Sequence, residues 1–197
     1  MLRLSKTELS DAQSLESAVS KRRGYKSFTT NLTNILLAGV ALVFLLMVVL
    51  FGYVPVSGTS MLPTLQEKGD AVIILKCGTV TRGDIVIVDN SDLKLHPEDK
   101  LLIKRVVAIQ GDTVSYRQDN VGKLVLKVNG EVINEPYIKE TLYLDDVLQR
   151  PSRVENGCDV KDGYVYVMGD NRLTSHDSRN FGQIELDRIV GKVIVIL

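Results

Sequence analysis

Ser60 and Lys104 are the residues of this sequence best suited to nucleophilic catalysis. The serine opens the segment SMLPTL at positions 60–65, and the lysine lies within the apolar run LLIKRVVAI at positions 101–109. A serine hydroxyl is a poor nucleophile at neutral pH and needs a neighbouring base to accept its proton. Histidine is the usual base, but a lysine held neutral serves in some enzymes. The two segments therefore predict acyl-transfer chemistry, provided that the fold brings them together.

Lys104 can accept a proton only if its surroundings keep the amine neutral. The pKa of a lysine side chain in water is about 10.4, and desolvation can lower it by up to about 3 to 5 units. Leucine and isoleucine precede the Lys104-Arg105 pair, and valine, alanine and isoleucine follow it. This pattern predicts that Lys104 lies in a buried strand. A solvated strand lysine is the ordinary alternative.

A third segment, residues 169–182, follows the apolar run Tyr164–Met168 and contains small, polar and charged residues. It predicts a polar loop that leaves the end of a strand. Loops of this kind often carry functional groups because a rigid strand fixes where they begin. Asp, Asn and Ser also favour ordinary turns for local reasons, so the segment alone leaves both interpretations open.

The elements that position these residues begin with an apolar stretch. The 20 residues Ile35–Val54 carry no charge, and at 1.5 Å per residue they cover the hydrocarbon core of a bilayer, about 30 Å thick. A cleaved secretory signal has a shorter apolar region of about 7 to 15 residues, and a buried core helix shows a polar face. We therefore expect a transmembrane anchor at 32–56, a tail at 1–31 and a single folded domain at 57–197.

The charges beside the anchor predict its orientation. Residues 1–31 contain six Lys and Arg against three Asp and Glu, and positive charge tends to keep a flanking segment in the cytoplasm. The tail is then cytoplasmic, as a disordered segment or a short surface helix, and the domain faces outward from the plasma membrane. The chain has zero net charge and no basic domain, so nucleic acid is not an expected partner.

Beyond the anchor the sequence predicts a mainly β domain with little helical patterning. Asn129-Gly130 is a strong signal for a tight hairpin turn. The polar stretch 134–162 is expected to be a peripheral insertion. The runs expected to form strands are Ala71–Leu75, Ile85–Asp89, Leu101–Ile109, Leu124–Val128, Tyr164–Met168 and Ile189–Leu197.

Together the three segments resemble the sequence boxes of type I signal peptidases, the bacterial enzymes that remove signal peptides from exported proteins. Residues 60–65 resemble the nucleophile box, residues 104–112 the lysine box, and residues 169–179 the third box. All three in this order behind an anchor form a specific signal. The resemblance implies a serine endopeptidase with an antiparallel, partly barrel-like β domain outside the cytoplasm. It implies no cofactor and no metal.

The resemblance also implies a role for each matching residue. Ser60 would be the nucleophile and Lys104 the general base, while Ser175 would hydrogen-bond the lysine amine and orient it. Met61 would pack beneath the site, and Pro63 would fix the direction of the chain after the nucleophile.

Two charge pairs are implied as well, Asp177 with Arg179 and Asp170 with Arg105. They would hold the third segment against the lysine strand, since charges buried near a site are tolerated when they are paired.

The position of Gly58 bears on the oxyanion hole. Some family members carry there a serine whose hydroxyl helps to bind the oxyanion, so this chain resembles the glycine-bearing members. Its oxyanion hole would then depend on backbone donors, chiefly the Ser60 N–H, with the second donor left open.

The two histidines and two cysteines offer weaker chemistry. His96 lies in a polar run with a proline and is expected in an exposed loop, whereas His176, inside the third segment, is the better rival to Lys104 as base. Two histidines without supporting ligand spacing predict no zinc site. Cys77 and Cys158 lie on the outward side, where a disulfide is chemically permitted, and we expect two isolated thiols.

Two alternative functions remain open at this point. A related class of Ser-Lys peptidases, the self-cleaving repressors, shares the serine-methionine start, but those proteins are soluble and attached to DNA-binding modules. A catalytically silent, surface-anchored β domain that binds a partner is the second alternative. The signal peptidase interpretation names exported precursor proteins with signal peptides, together with the lipid bilayer, as partners.

Overall fold

A computed structural model describes residues 6–67, 69–92, 100–120, 123–138 and 157–197. The chain divides into two compact units, one up to Val48 and the other from Val49 to Leu197. His96 and most of the expected insertion at 134–162 lie outside the described residues.

The first unit is formed by one long helix, α1, which covers Lys6–Leu50. Its part from Thr30 to Leu50 has a mean hydropathy of 2.7 and is long and apolar enough to cross a membrane. The tail is helical from Lys6 onward, in one piece with the apolar part, rather than disordered or a separate short helix.

The end of the apolar helix differs from the sequence prediction. The helix stops at Leu50, and the residues Phe51–Pro55, which we expected in the anchor, form a β-strand instead. Aromatic and β-branched residues such as those at 51–54 suit a pleated, half-buried surface, and this strand pairs with Ala71–Leu75 along its whole length. Hydropathy alone does not distinguish the two states, because apolar residues suit both a membrane-spanning helix and a half-buried strand.

The second unit is mainly β, as expected. Its strands are β1 (Phe51–Pro55), β2 (Ala71–Leu75), β3 (Ile85–Asp89), β4 (Leu101–Ile109), β5 (Thr113–Gln118), β6 (Leu124–Val128), β7 (Glu131–Val132), β8 (Cys158–Asp159), β9 (Tyr164–Met168), β10 (Ile184–Glu185) and β11 (Ile189–Ile196). A single helical turn, α2 (Ser178–Phe181), follows β9, and a 3₁₀ turn at Leu186–Arg188 precedes β11.

The strands form two sheets in which every adjacent pair is antiparallel. The larger sheet has seven strands in the order β1-β2-β11-β3-β4-β9-β10, and it curls into a half-barrel. The smaller sheet has four strands in the order β7-β6-β5-β8. The expected antiparallel, partly barrel-like fold class is confirmed.

The two sheets share a hydrophobic core. Val107 and Met168 of the larger sheet pack in one cluster with Val114 and Leu126 of the smaller sheet. A second cluster places Met61 and other residues of the nucleophile segment against β2, β3 and β4. This burial fixes the segment on the sheet, because the apolar side chains lose their stabilisation if they leave it.

The hairpin predicted at Asn129-Gly130 is confirmed. Asn129 and Gly130 have φ angles of 55° and 82°, and Val128 pairs with Glu131 across the turn. Two successive positive φ angles give the turn a twist that matches the flanking strands.

Candidate active site

Lys104 and Ser60 lie in direct contact. The Lys104 Nζ donates a hydrogen bond to the Ser60 Oγ at 2.8 Å. The lysine is 3% exposed, whereas the serine is half-buried and therefore accessible from solvent. The fold thus brings together a buried amine and a reachable hydroxyl that are 44 positions apart in sequence.

Lys104 is held in place because its strand, β4, lies inside the larger sheet and not at its edge. Strand β4 lies between β3 and β9, with Lys104 in register with Val86 of β3 and Arg105 with Met168 of β9. A strand buried on both faces reads as a nearly continuous apolar run, and this is the pattern of residues 101–109. The prediction of a buried strand lysine is confirmed.

Ser60 is held by the turn that follows β1. The buried side chains of Met61 and Leu65 anchor this turn, and the Leu65 N–H donates to the Met61 carbonyl at 3.0 Å. Met61 packs in the same core cluster as Leu65 and Ile103, and its place beneath the nucleophile stays a prediction. The peptide bond between Leu62 and Pro63 is cis.

Asn171 fastens the nucleophile turn to the third segment. Its backbone N–H donates to the Ser60 carbonyl at 3.0 Å, and its side-chain amide donates to the Thr59 carbonyl at 3.1 Å. Its own carbonyl accepts from the Ser175 N–H at 2.9 Å. We did not select Asn171 from the sequence, although it lies inside the third segment.

Gly169, the first residue after β9, permits this close approach. A Cβ atom at this position would collide with the Ser60 carbonyl oxygen and the Ser175 hydroxyl. Only glycine lets the nucleophile turn and the loop pack this tightly.

The third segment is held from within by Asp177 and Arg179. The Arg179 Nε and Nη2 each donate to the Asp177 carboxylate at 2.8 Å, and the Gly169 N–H donates to it at 3.0 Å. Burial alone would raise the pKa of Asp177, but the Arg179 guanidinium and the hydrogen bonds outweigh it and hold the pKa below its ordinary value. Asp177 also caps α2, where its side chain accepts from the Arg179 N–H.

The second expected pair, Arg105 with Asp170, joins the loop to the lysine strand. The Arg105 Nε and Nη2 donate to the two Asp170 carboxylate oxygens at 2.8 and 2.6 Å. The Thr64 hydroxyl also donates to Asp170, at 2.5 Å, so this carboxylate connects the nucleophile turn as well.

Ser175 differs from its expected role. Its hydroxyl oxygen is buried and forms no hydrogen bond of normal geometry with the described residues, although its interaction with the Asp177 carboxylate helps to lower the pKa of that group. The hydrogen bond to the Lys104 amine that the resemblance implies is therefore not formed in this structure. The Ser175 side chain instead lies against Gly169.

The space around Gly58 and Ser60 is open to a substrate. Gly58 has a φ of 82°, and a Cβ atom added there would meet no other atom within 4 Å. Among the described residues, the backbone N–H of Ser60 donates no hydrogen bond to the rest of the protein. This N–H is therefore available to a ligand.

A cavity of about 210 Å³ opens beside the Ser60–Lys104 contact. Residues 57–60, residues 101–104, Thr174 and His176 line it. His176 is exposed and packs edge-on against the Phe181 ring at 5.5 Å, so Lys104, and not His176, contacts the serine hydroxyl. Cys77 and Cys158 are free thiols, as expected. In the described part of the chain no cluster of side chains could hold a metal ion.

Comparison with known proteins identifies the family. The sequence model of the family described as signal peptidase, peptidase S26, matches residues 29–197. The chain belongs to this family. The signal peptidase match spans both the apolar helix Thr30–Leu50 and the domain that carries Ser60 and Lys104, and it confirms the resemblance seen in the three sequence segments.

Two relatives that are more than 30% identical support the same assignment. A signal peptidase I of Bacillus caldolyticus is 36% identical over 163 residues, which cover 78% of this chain and 83% of the relative. A signal peptidase IB of Staphylococcus aureus is 34% identical over 169 residues, 78% of this chain and 82% of the relative. The crystal structure of a signal peptidase I from Enterococcus faecalis V583 is 24% identical with a TM-score of 0.43, covering 60% of this chain and 98% of that chain.

Proposed function

We propose that Ser60 and Lys104 form the catalytic dyad with which this membrane-anchored serine endopeptidase cleaves signal peptides. The single observation that carries the assignment is the 2.8 Å contact between the Lys104 Nζ and the Ser60 Oγ. The buried position of the amine supports it, because desolvation lowers a lysine pKa and favours the neutral form that can act as a base.

The first half of the reaction forms an acyl-enzyme. Neutral Lys104 accepts the proton of the Ser60 hydroxyl as its oxygen attacks the scissile carbonyl carbon. When the tetrahedral intermediate collapses, the peptide C–N bond breaks and the lysine ammonium returns the proton to the leaving amine. The signal peptide then remains joined to Ser60 as an ester.

The second half of the reaction releases the signal peptide from Ser60. Lys104, neutral again, accepts a proton from water as the water oxygen attacks the ester carbonyl. Collapse of this second intermediate breaks the ester bond, and the Ser60 oxygen recovers its proton from the ammonium. Both halves of the reaction use the contact between Lys104 and Ser60. In each half the lysine acts first as a base and then as an acid.

The Ser60 N–H is our candidate for the first oxyanion donor. It makes no hydrogen bond within the described residues, and it belongs to the same residue as the attacking oxygen. A preorganised donor aimed at a developing oxyanion lowers the barrier because it needs no reorganisation during the reaction.

We further propose that the substrate is an exported precursor whose cleavage segment enters the cavity in extended form. The cavity has a volume of about 210 Å³ and is lined by residues 57–60 and 101–104, which suits small side chains such as the alanines that family members accept at positions −1 and −3. On this proposal the tail is cytoplasmic, the helix Thr30–Leu50 crosses the plasma membrane once, and the domain faces outward.

The experiment is direct cleavage by the purified full-length chain in detergent. It is incubated with a precursor that carries a signal peptide, and the new N-terminus of the product is sequenced. We expect a single cut after a small residue, and no cut with the Ser60→Ala variant. An intact precursor would contradict the proposal and favour a domain that only binds a partner. Equal cleavage by both proteins would contradict the assignment of Ser60 as the nucleophile.

A further inference from the structure

Glu135 and Tyr137, two residues of the segment that follows β7, each contact an arginine that is linked to the active site. We expected residues 134–162 to be peripheral, but Glu135 binds Arg172 and Tyr137 packs against Arg105, the chain neighbour of Lys104. We call residues 135–137 the bridging segment.

One end of the bridging segment supports the nucleophile. The Arg172 guanidinium pairs with the Glu135 carboxylate through both of its terminal nitrogens, with Nη1 to Oε2 at 3.0 Å. The Arg172 Nε donates to the Gly169 carbonyl at 3.1 Å. Gly169 in turn packs against the Ser60 carbonyl, so Glu135 reaches the nucleophile turn through two residues.

The other end supports the lysine. The Tyr137 ring lies under the guanidinium of Arg105, 4.0 Å from the ring centroid, and Arg105 is the chain neighbour of Lys104. The Tyr137 hydroxyl donates to the Glu135 carboxylate at 2.8 Å. The two ends are therefore joined by one hydrogen bond.

These contacts close a circuit. Arg105 binds Asp170, the residue after Gly169, so the path from Arg105 through Asp170, Gly169, Arg172 and the bridging segment returns to Arg105. The circuit contains two guanidinium groups and two carboxylates, and its Arg172 side chain is only 1% exposed. Loss of one charge would leave a buried partner without compensation, which is costly.

We propose that Glu135 and Tyr137 are positioning residues for the Ser60–Lys104 dyad. They fix the residue beside each member of the dyad, Gly169 on the serine side and Arg105 on the lysine side. The inference rests on the proposed function, because it concerns the geometry of the same site. A displacement of about 1 Å at reacting atoms can cost up to about a hundredfold in rate, so a distant support can control catalysis.

The test uses three variants of the full-length protein in detergent, Glu135→Gln, Tyr137→Leu and Tyr137→Phe. For each one, kcat and KM are measured on a signal-peptide precursor, and the folded fraction is measured by circular dichroism. We expect Glu135→Gln and Tyr137→Leu to lower kcat per folded molecule by about tenfold or more, with KM within about twofold, since the bridging segment does not line the cavity.

Tyr137→Phe is the conservative variant. It keeps the ring under Arg105 and removes only the hydroxyl that binds Glu135, so we expect a kcat between those of the native protein and Tyr137→Leu. Both Tyr137 variants leave the ion pair of Glu135 with Arg172 in place. They therefore carry the test if Glu135→Gln does not fold.

The chain contains a matched control away from the site. The Tyr164 hydroxyl donates to the Glu185 carboxylate at 2.9 Å, and Glu185 also lies 4.0 Å from the Arg188 guanidinium. Glu185→Gln and Tyr164→Phe remove the same kinds of contact from the β9–β10 edge. We expect both to leave kcat per folded molecule unchanged.

The proposal would be overturned by native kcat in folded Glu135→Gln and Tyr137→Leu, or by equal losses in the Glu185→Gln control. A fall in the folded fraction at constant kcat would show a structural role alone and would also overturn it. Ser60→Ala measured in parallel separates the two ideas. If Ser60→Ala is inactive while the bridging variants behave as native, only the positioning role fails.

Discussion

At the scale of single residues, the proposed mechanism requires that the Lys104 amine in contact with Ser60 be neutral. Burial works in that direction, because the charged form of a lysine loses its hydration when it leaves water. The same burial fixes the amine in place, since β4 is bordered by strands on both sides. On the proposed mechanism, activity therefore depends on pH through this residue.

The first prediction concerns the two members of the dyad. Ser60→Ala removes the nucleophile, and Lys104→Met removes the base while it keeps an apolar stem of similar length. We expect both variants to fold normally and to show no cleavage above background. Lys104→His should also fail, because the shorter imidazole does not reach the hydroxyl from β4. Full activity in any of the three, measured by product formation on a gel, would refute the assignment.

The second prediction distinguishes lysine from histidine as base. Cleavage should increase with pH as the Lys104 ammonium loses its proton, with a midpoint below the 10.4 that is roughly the pKa of a free lysine. The His176→Ala variant should show the same increase of cleavage with pH, since His176 is exposed and packs against Phe181. The measurement is a pH profile of kcat/KM for both proteins. An inactive His176→Ala together with an active Lys104→Met would assign the base to His176.

The third prediction concerns Gly169. A methyl group there would collide with the Ser60 carbonyl oxygen, so Gly169→Ala should displace the nucleophile turn and lower kcat per folded molecule by about a hundredfold. Gly191→Ala is the control, because its Cβ would meet the Leu75 carbonyl at 2.7 Å, away from the dyad. We expect both variants to lose thermal stability but only Gly169→Ala to lose kcat. Equal kcat values in the two would show that Gly169 has no special link to Ser60.

Residues with a proposed chemical role were easier to predict from the sequence than the residues that hold them in place. Ser60 and Lys104 could be selected because their types and apolar neighbours point to chemistry. Asn171 and Glu135 could not, because their importance lies in contacts with residues more than 30 positions away. Such contacts exist only once β4, β9 and the nucleophile turn have been brought together.

At the scale of elements, the third segment depends on the ion pair of Asp177 with Arg179. The pKa of Asp177 is lowered in the folded protein, so its charge contributes stability at pH above about 4, the ordinary aspartate value. That contribution is lost as the pH falls through the lowered pKa, when the carboxylate takes up a proton.

The fourth prediction follows from the lowered pKa of Asp177 in the folded protein. Asp177→Asn should destabilise the domain by about 3 to 5 kcal/mol at neutral pH, because it leaves the buried Arg179 without its partner. It should also make the unfolding free energy less dependent on pH in the acid range. The control is Asp89→Asn, because hydrogen bonds from Ser91 lower the pKa of Asp89 near the surface. Urea unfolding at several pH values tests both, and an equal response of the two variants would contradict the prediction.

Strands were predicted correctly where a buried strand has a continuous apolar sequence. They were missed where the strand forms only because neighbouring strands pair with it. β2, β3 and β9 are continuous apolar runs, and their bounds agree with the expectation. β5, with the mixed sequence TVSYRQ, becomes a strand because β6 and β8 pair with it on either side. The two-residue strands β8 and β10 likewise have no signal of their own.

At the scale of the whole molecule, the orientation in the membrane decides which proteins the enzyme can meet. The fifth prediction is that a reporter active only outside the cytoplasm works when fused after Leu197 and fails when fused near Thr30, because the basic tail stays inside. Cys77, which is exposed, gives an independent readout. It should react with a membrane-impermeant maleimide on intact cells, and Cys77→Ser should reduce the signal to the part contributed by the half-buried Cys158. The reverse pattern in either assay would place the domain on the wrong side for exported proteins.

The direct passage from the apolar helix into β1 limits how far the nucleophile can stand from the lipid. Ser60 follows Leu50, the last helical residue, by only ten positions, and a chain of that length spans at most about 35 Å. A bond that leaves the bilayer surface by more than this distance is out of reach, whatever its side chains. The short connection from Leu50 to Ser60 therefore sets a maximum distance between the nucleophile and the lipid. On the proposed function, cleavage is confined to bonds that come within this distance of the bilayer surface.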